Sequence, residues 1–144
     1  MTIAGSRASG HRVLRRDVDR VVEAWGPDRA VCIAEALRAL VETFADVPDE
    51  VATRVLPIGA GASESPDALV GLLEEVIYVV DVFGMVPVRF HLGIADDGAV
   101  GGDMEVVPLQ RVKLNGPVPV EVSHRDTSMH RRGGGWRCQA VVGV

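Results

Sequence analysis

The hydrophobic period of this chain changes at Gly84. Before it, apolar residues recur at spacings of three and four: Ala30, Ile33, Ala34, Leu37, Leu40, Val41 and Phe44, then Leu69, Leu72, Leu73, Val76, Ile77 and Val80. After it, Val88, Phe90, Leu92 and Ile94 alternate with Arg89, His91 and Gly93. The first pattern gives a helix one apolar stripe, and the second gives a strand one buried face. Neither an all-helical bundle nor an all-β sandwich accommodates both.

Local signals set the boundaries. Gly26-Pro27-Asp28 opens the first helix and Asp46-Val47-Pro48 closes it, each proline standing where a helix begins or cannot continue. Ser65-Pro66-Asp67 opens the second helix, which ends by Gly84. Strands are predicted over Arg20–Trp25, Val51–Ile58, Val88–Ile94, Met104–Leu109, Val118–His124 and Trp136–Val144. Pro57 confines the second of these to an edge or an early exit from the sheet. Asp96-Asp97-Gly98 is a hairpin turn, and Gly133-Gly134-Gly135 loops between the last two strands. The resulting order, β-α-β-α-β-β-β-β, predicts a single-domain α+β two-layer sandwich, a mixed or antiparallel sheet with two main helices on one face. Residues 1–9 read as a flexible N-terminal segment and residues 10–144 as the domain. Trp136 and the helix residues Leu37, Leu40, Leu72 and Val76 are expected in one core.

With 144 residues, 47% of them hydrophobic, the chain can bury a core without disulfides or a structural metal. Cys32 and Cys138 have no C-x-x-C spacing and are expected as free thiols in that core. The net charge of −5 argues against direct strong nucleic-acid binding, which needs a basic field. There is no apolar run long enough to span a membrane and no apolar leader after Met1, so a cytoplasmic location without membrane association is expected.

Motifs for chemistry are sparse. Gly59-Ala60-Gly61-Ala62-Ser63 lacks the lysine of a phosphate-binding loop and reads as a connector. Arg131-Arg132-Gly133-Gly134-Gly135 reads as a solvated hairpin tip rather than an RNA-contacting turn. His11, His91, His124 and His130 form no metalloprotease spacing. Asp17 and Asp19 stand two apart, so in extended backbone both carboxylates face one side and suit a hard cation.

The opening Gly10-His11-Arg12-Val13-Leu14-Arg15-Arg16-Asp17-Val18-Asp19, with Ala24-Trp25-Gly26 after it, resembles the start of the archease family, protein partners of RtcB-type RNA-splicing ligases. Leu73-Glu74-Glu75-Val76-Ile77-Tyr78-Val79-Val80-Asp81 is similar to the family helix ending in Leu-Tyr-x-x-Asp, with Arg89-Phe90 following. Val120-Glu121-Val122-Ser123-His124 and Gly135-Trp136-Arg137-Cys138-Gln139-Ala140-Val141-Val142 resemble its closing segments. The resemblance covers Gly10 to Val144.

It implies a non-enzymatic activator that promotes guanylylation of the ligase's own histidine, in tRNA splicing or RNA repair. It also implies a divalent cation, Ca²⁺, Mg²⁺ or Mn²⁺, held by the aspartate matching Asp19, by an aspartate at the penultimate position, here Gly143, and by the terminal carboxylate, here of Val144. Asp17 is expected to replace the acid missing at Gly143. Arg16 stands where the family has histidine, Asp17 where it has threonine, and Pro119 where it usually has lysine. The other reading is a diverged archease fold acting as a metal-free binding or chaperone-like module. A small enzyme using the scattered histidines is a third.

Overall fold

The computed structural model describes residues 8–47, 54–60 and 66–144. The chain runs through β1 (Gly10–Arg16), β2 (Asp19–Gly26), α1 (Arg29–Glu42), β3 (Ala45–Asp46), β4 (Arg54–Ala60), α2 (Asp67–Phe83), β5 (Met85–Ile94), β6 (Val100–Pro108), β7 (Lys113–Leu114), β8 (Glu121–Val122), β9 (Ser128–Arg132) and β10 (Gly135–Gly143). The α+β class and both helices are as the periodicity predicts. The first seven residues of the expected N-terminal segment, Pro48, the start of the strand expected from Val51, the Gly61–Ser63 part of the connector and the Ser65 cap lie outside the described residues.

The helix ends follow from their residues. The Asp28 carboxylate accepts a hydrogen bond from the Val31 amide at 2.9 Å, satisfying one of the unpaired donors of the first turn. Pro66 caps α2 without a side-chain hydrogen bond. At its other end Gly84 adopts φ 62°, a left-handed turn that suits glycine because it has no Cβ. The β-branched run Val76–Val80 has weak helix propensity, but Val76, Val79 and Val80 are buried, so packing holds it helical.

Among the described residues all strand pairings are antiparallel. Five strands form the larger sheet in the order β1-β2-β10-β8, with β9 sharing the β8 side of β10, while β4-β6-β5 and β3-β7 form smaller ladders. Helix α1 packs on β1, β2, β10 and β5, and α2 packs on β4, β5, β8 and α1, so the helices contact both larger sheets. Phe44, Ile33, Leu37, Leu40, Leu69, Leu72, Leu73 and Met104 make the fully buried centre. No helix among the described residues is long and apolar enough to cross a membrane.

Four sequence expectations are corrected. The single sheet is divided into separate ladders. Residues 10–16 form a strand, paired with β2 in a hairpin. The strand expected over Val118–His124 contracts to Glu121–Val122, because Pro117 and Pro119 cannot donate to a ladder. Its place beside β10 is taken by β9. Trp136 packs against the core only in part, because it opens β10 at the hairpin end, opposite Arg131.

Candidate metal centre and its acidic flank

Strand pairing brings together acids that are far apart in sequence. The β1–β2 hairpin pairs Arg16 with Asp19. On the other side of β2, Arg20 pairs with Val142, which places Gly143 beside Asp19 one step further on. Gly143 then pairs with Glu121 of β8. Cross-strand partners share a face, so Arg16, Asp19, Gly143 and Glu121 form one row across four strands. A Cβ built on Gly143 would lie 3.2 Å from Asp19 Oδ1 and 3.3 Å from Glu121 Oε1. Both carboxylates thus border the space that the glycine leaves open.

Arg16 does not neutralise this pair. Its Nη2 lies 3.7 Å from Asp126 Oδ2, and Arg20 Nη1 donates to the backbone carbonyls of Val18 and Asp19. Among the described residues neither Asp19 nor Glu121 has a side-chain hydrogen-bond or ion-pair partner. The oxygen-only donor set suits a hard divalent cation. No group of three or more His, Cys, Asp or Glu side chains is arranged to hold a metal among the described residues. A cation held here would need a third donor from elsewhere, such as the α-carboxylate that a chain ending at Val144 carries.

Asp17 is not extended. It has φ 56° in the β1–β2 turn, so the i, i+2 argument that aimed it alongside Asp19 does not apply. The acid beside Gly143 is Glu121, which sequence reasoning passed over. It stands in Val120-Glu121-Val122, and only the β8–β10 register shows where it lies.

Glu121 also joins the row to α2. A cavity of about 290 Å³ is lined by Glu74, Ile77, Tyr78, Asp81, Val120 and Glu121. Tyr78 and Val120 are exposed at 54% and 67%, which is unusual for large apolar side chains next to one another. The Tyr78 ring meets Phe83 edge-on at 5.8 Å. His124 Nε2 lies 3.1 Å from Glu74 Oε2. Further into α2, burial raises the Glu75 carboxyl above its ordinary range, against a hydrogen bond from the Gly59 amide. The other histidines do not join this end. His11 bridges Glu35 and Glu42 at 2.6 and 2.8 Å, and His91 meets Glu105 at 2.6 Å.

Residues 11–144 match the model of the Archease protein family. The chain belongs to this family. A protein of Mycobacterium tuberculosis named probable protein archease is 34% identical over 137 residues, which span 95% of this chain and 76% of that protein. Two solved structures share the archease fold at 14% identity. The solution structure of Methanobacterium thermoautotrophicum protein 1598 gives a TM-score of 0.73 over 94% of this chain and 99% of that one. The crystal structure of a Thermotoga maritima archease, described as a possible chaperone, gives 0.65 over 91% and 94%.

Proposed function

We propose that this archease is a non-catalytic activator of an RtcB-type RNA ligase, presenting its acidic end to the ligase and holding a divalent cation there. The observation that carries the reading is the convergence of Asp19 and Glu121 on the open space at Gly143, next to the groove of Tyr78 and Val120. Asp19 and Glu121 are the side-chain ligands in this reading, joined by the Val144 α-carboxylate where the chain ends there. Asp17 lies on the turn beside them. When bound, the ion would supply positive charge to phosphate oxygens during guanylate transfer. Unpaired carboxylates lose repulsion on binding it, and Tyr78, Ile77 and Val120 offer apolar area to the partner. The ligase, not this acidic chain, would hold the RNA needed for splicing or repair.

The test is ligase guanylylation from GTP with limiting amounts of the chain. Activation predicts many ligase molecules guanylylated per molecule of chain, and loss of that effect with Asp19→Ala at unchanged thermal midpoint. No increase with the native chain overturns the reading. In parallel, calorimetric titration with Ca²⁺ and Mn²⁺ separates the ligands: Asp19→Ala and Glu121→Ala should both weaken binding and Asp17→Ala should not. A chain extended past Val144 should also bind less tightly if the terminal carboxylate is a ligand. The absence of an acid at Gly143 favours, as the second reading, a metal-free binding or chaperone-like module. Partner binding that proceeds unchanged in excess chelator would select it.

A further inference from the structure

The charge of this chain is unevenly distributed. Residues 127–144 contain Arg131, Arg132 and Arg137 and no Asp or Glu, in a chain with 20 acidic residues. Strand pairing gathers these arginines at the end of the β9–β10 hairpin. Arg137 lies opposite Trp25 and Arg131 opposite Trp136, and each guanidinium stacks on its indole, at 5.2 and 5.5 Å from the ring centroid. Among the described residues none of the three arginines is paired with a carboxylate. A guanidinium held over an aromatic ring keeps N–H donors for the oxygens of an anion.

Two cavities adjoin the hairpin end. One, of about 220 Å³, is lined chiefly by Trp25, Arg132, Trp136 and Arg137. The other, of about 400 Å³, is lined by Pro27, Arg131, Arg132, Trp136 and the three glycines of the turn. Neither has an acidic lining residue. The larger has the size of a small ligand site, and Trp136 belongs to both. A carboxylate side chain would use the arginines but not the indole surface that lines the cavities. A nucleoside phosphate uses both, through charge on the phosphate and, against the base, the part of Trp136 that Arg131 leaves facing both cavities. β10 spans nine residues, so this end stands about 26 Å from the Asp19–Glu121 pair.

We propose that the β9–β10 hairpin end binds nucleoside phosphates, with Arg131, Arg132 and Arg137 on the phosphate and Trp136 beside the base. The inference is independent of the ligase reading, because the chain alone is the reagent. It is compatible with the net charge of −5, since the basic residues are gathered locally at the hairpin end. Arg131 to Gly134 are exposed, as the solvated-tip reading expects; Trp25 and Arg137, which complete the proposed site, come from outside that stretch.

The test is anisotropy of a fluorescein-labelled ten-nucleotide uridine oligomer, with intrinsic fluorescence as a second readout. Trp25 and Trp136 are the only two tryptophans, so a ligand at the site changes the whole signal. Saturable binding is expected, weakening about twentyfold between 50 and 200 mM salt if three phosphate contacts are made. Arg132→Gln and Arg137→Gln should each weaken it and lower the salt slope by about 0.7. Arg132→Lys should keep most of the salt slope, and Arg38→Gln on α1 should change nothing. Displacement by uridine 5′-monophosphate at similar concentrations would assign the ligand as a free nucleotide; a requirement for the oligomer would assign it as a strand. The proposal is overturned if neither probe binds, if the glutamine variants bind like the native chain, or if a ten-residue glutamate peptide competes as well as the oligomer.

Discussion

The Sγ atoms of Cys32 and Cys138 lie 3.5 Å apart, one on α1 and the other on β10, although 106 positions separate them in sequence. Both are free and buried. The hydrogen bond to Cys32, followed by burial, drives the Cys138 thiol far above its ordinary range, so almost no thiolate forms at neutral pH. An aromatic disulfide reagent should therefore label the native protein only as fast as it opens, and should titrate two thiols at once in denaturant. Rapid labelling of either cysteine in the native state would contradict this packing.

Leu72 is fully buried on the inner face of α2. Leu72→Ala should cost about 2 to 5 kcal/mol, the transfer term of the lost methyl groups plus that of the cavity left behind. Denaturant unfolding is the measurement. A cost under about 0.5 kcal/mol would mean that the α2 stripe is not packed as described.

The helices were legible because their stripes are local: Leu37, Leu40, Leu72 and Val76 each declare their face within one or two turns, and all are buried. The larger sheet was less so. β1 carries His11, Arg12, Arg15 and Arg16 over both of its faces, with His11 turned to Glu35 and Glu42 of α1, so its composition looks like that of a loop. The turn after it has no Asn-Gly or Asp-Gly signature, so Asp17 was read as extended when its φ is 56°. Asp19 and Gly143 are named through the family resemblance, but Glu121 is not, since its place depends on the pairing of β8 with β10. The same holds for the two Arg–Trp pairs, whose members lie on different strands.

His11 sits between Glu35 and Glu42. Burial is the largest single influence and lowers its basicity, but the two carboxylates together outweigh it, so its pKa is raised above 6.5. A raised folded pKa favours the protonated form, and the stability it contributes is fully present below the unfolded value and lost as pH rises through the folded one. His11→Gln should therefore lower the thermal midpoint more at about pH 6 than at about pH 9. Equal effects at both would show that the bridge is not ionic.

Gly143→Asp provides the sharpest test of the acidic end. It adds a third carboxylate between Asp19 and Glu121, and its Cβ would meet their oxygens at 3.2 and 3.3 Å, so the neighbours have to move. In the absence of divalent ions the variant should melt below the native chain, from crowding and like-charge repulsion together. Adding Ca²⁺ or Mn²⁺ should reverse the order, because a tighter site gains about 1.4 kcal/mol at a tenfold excess of ion over Kd. A second change, Glu121→Gln in the same chain, separates the two contributions. It should recover part of the ion-free midpoint and lose part of the ion-induced shift. If Gly143→Asp melts with the native chain in both conditions, the carboxylates of Asp19 and Glu121 do not share a site.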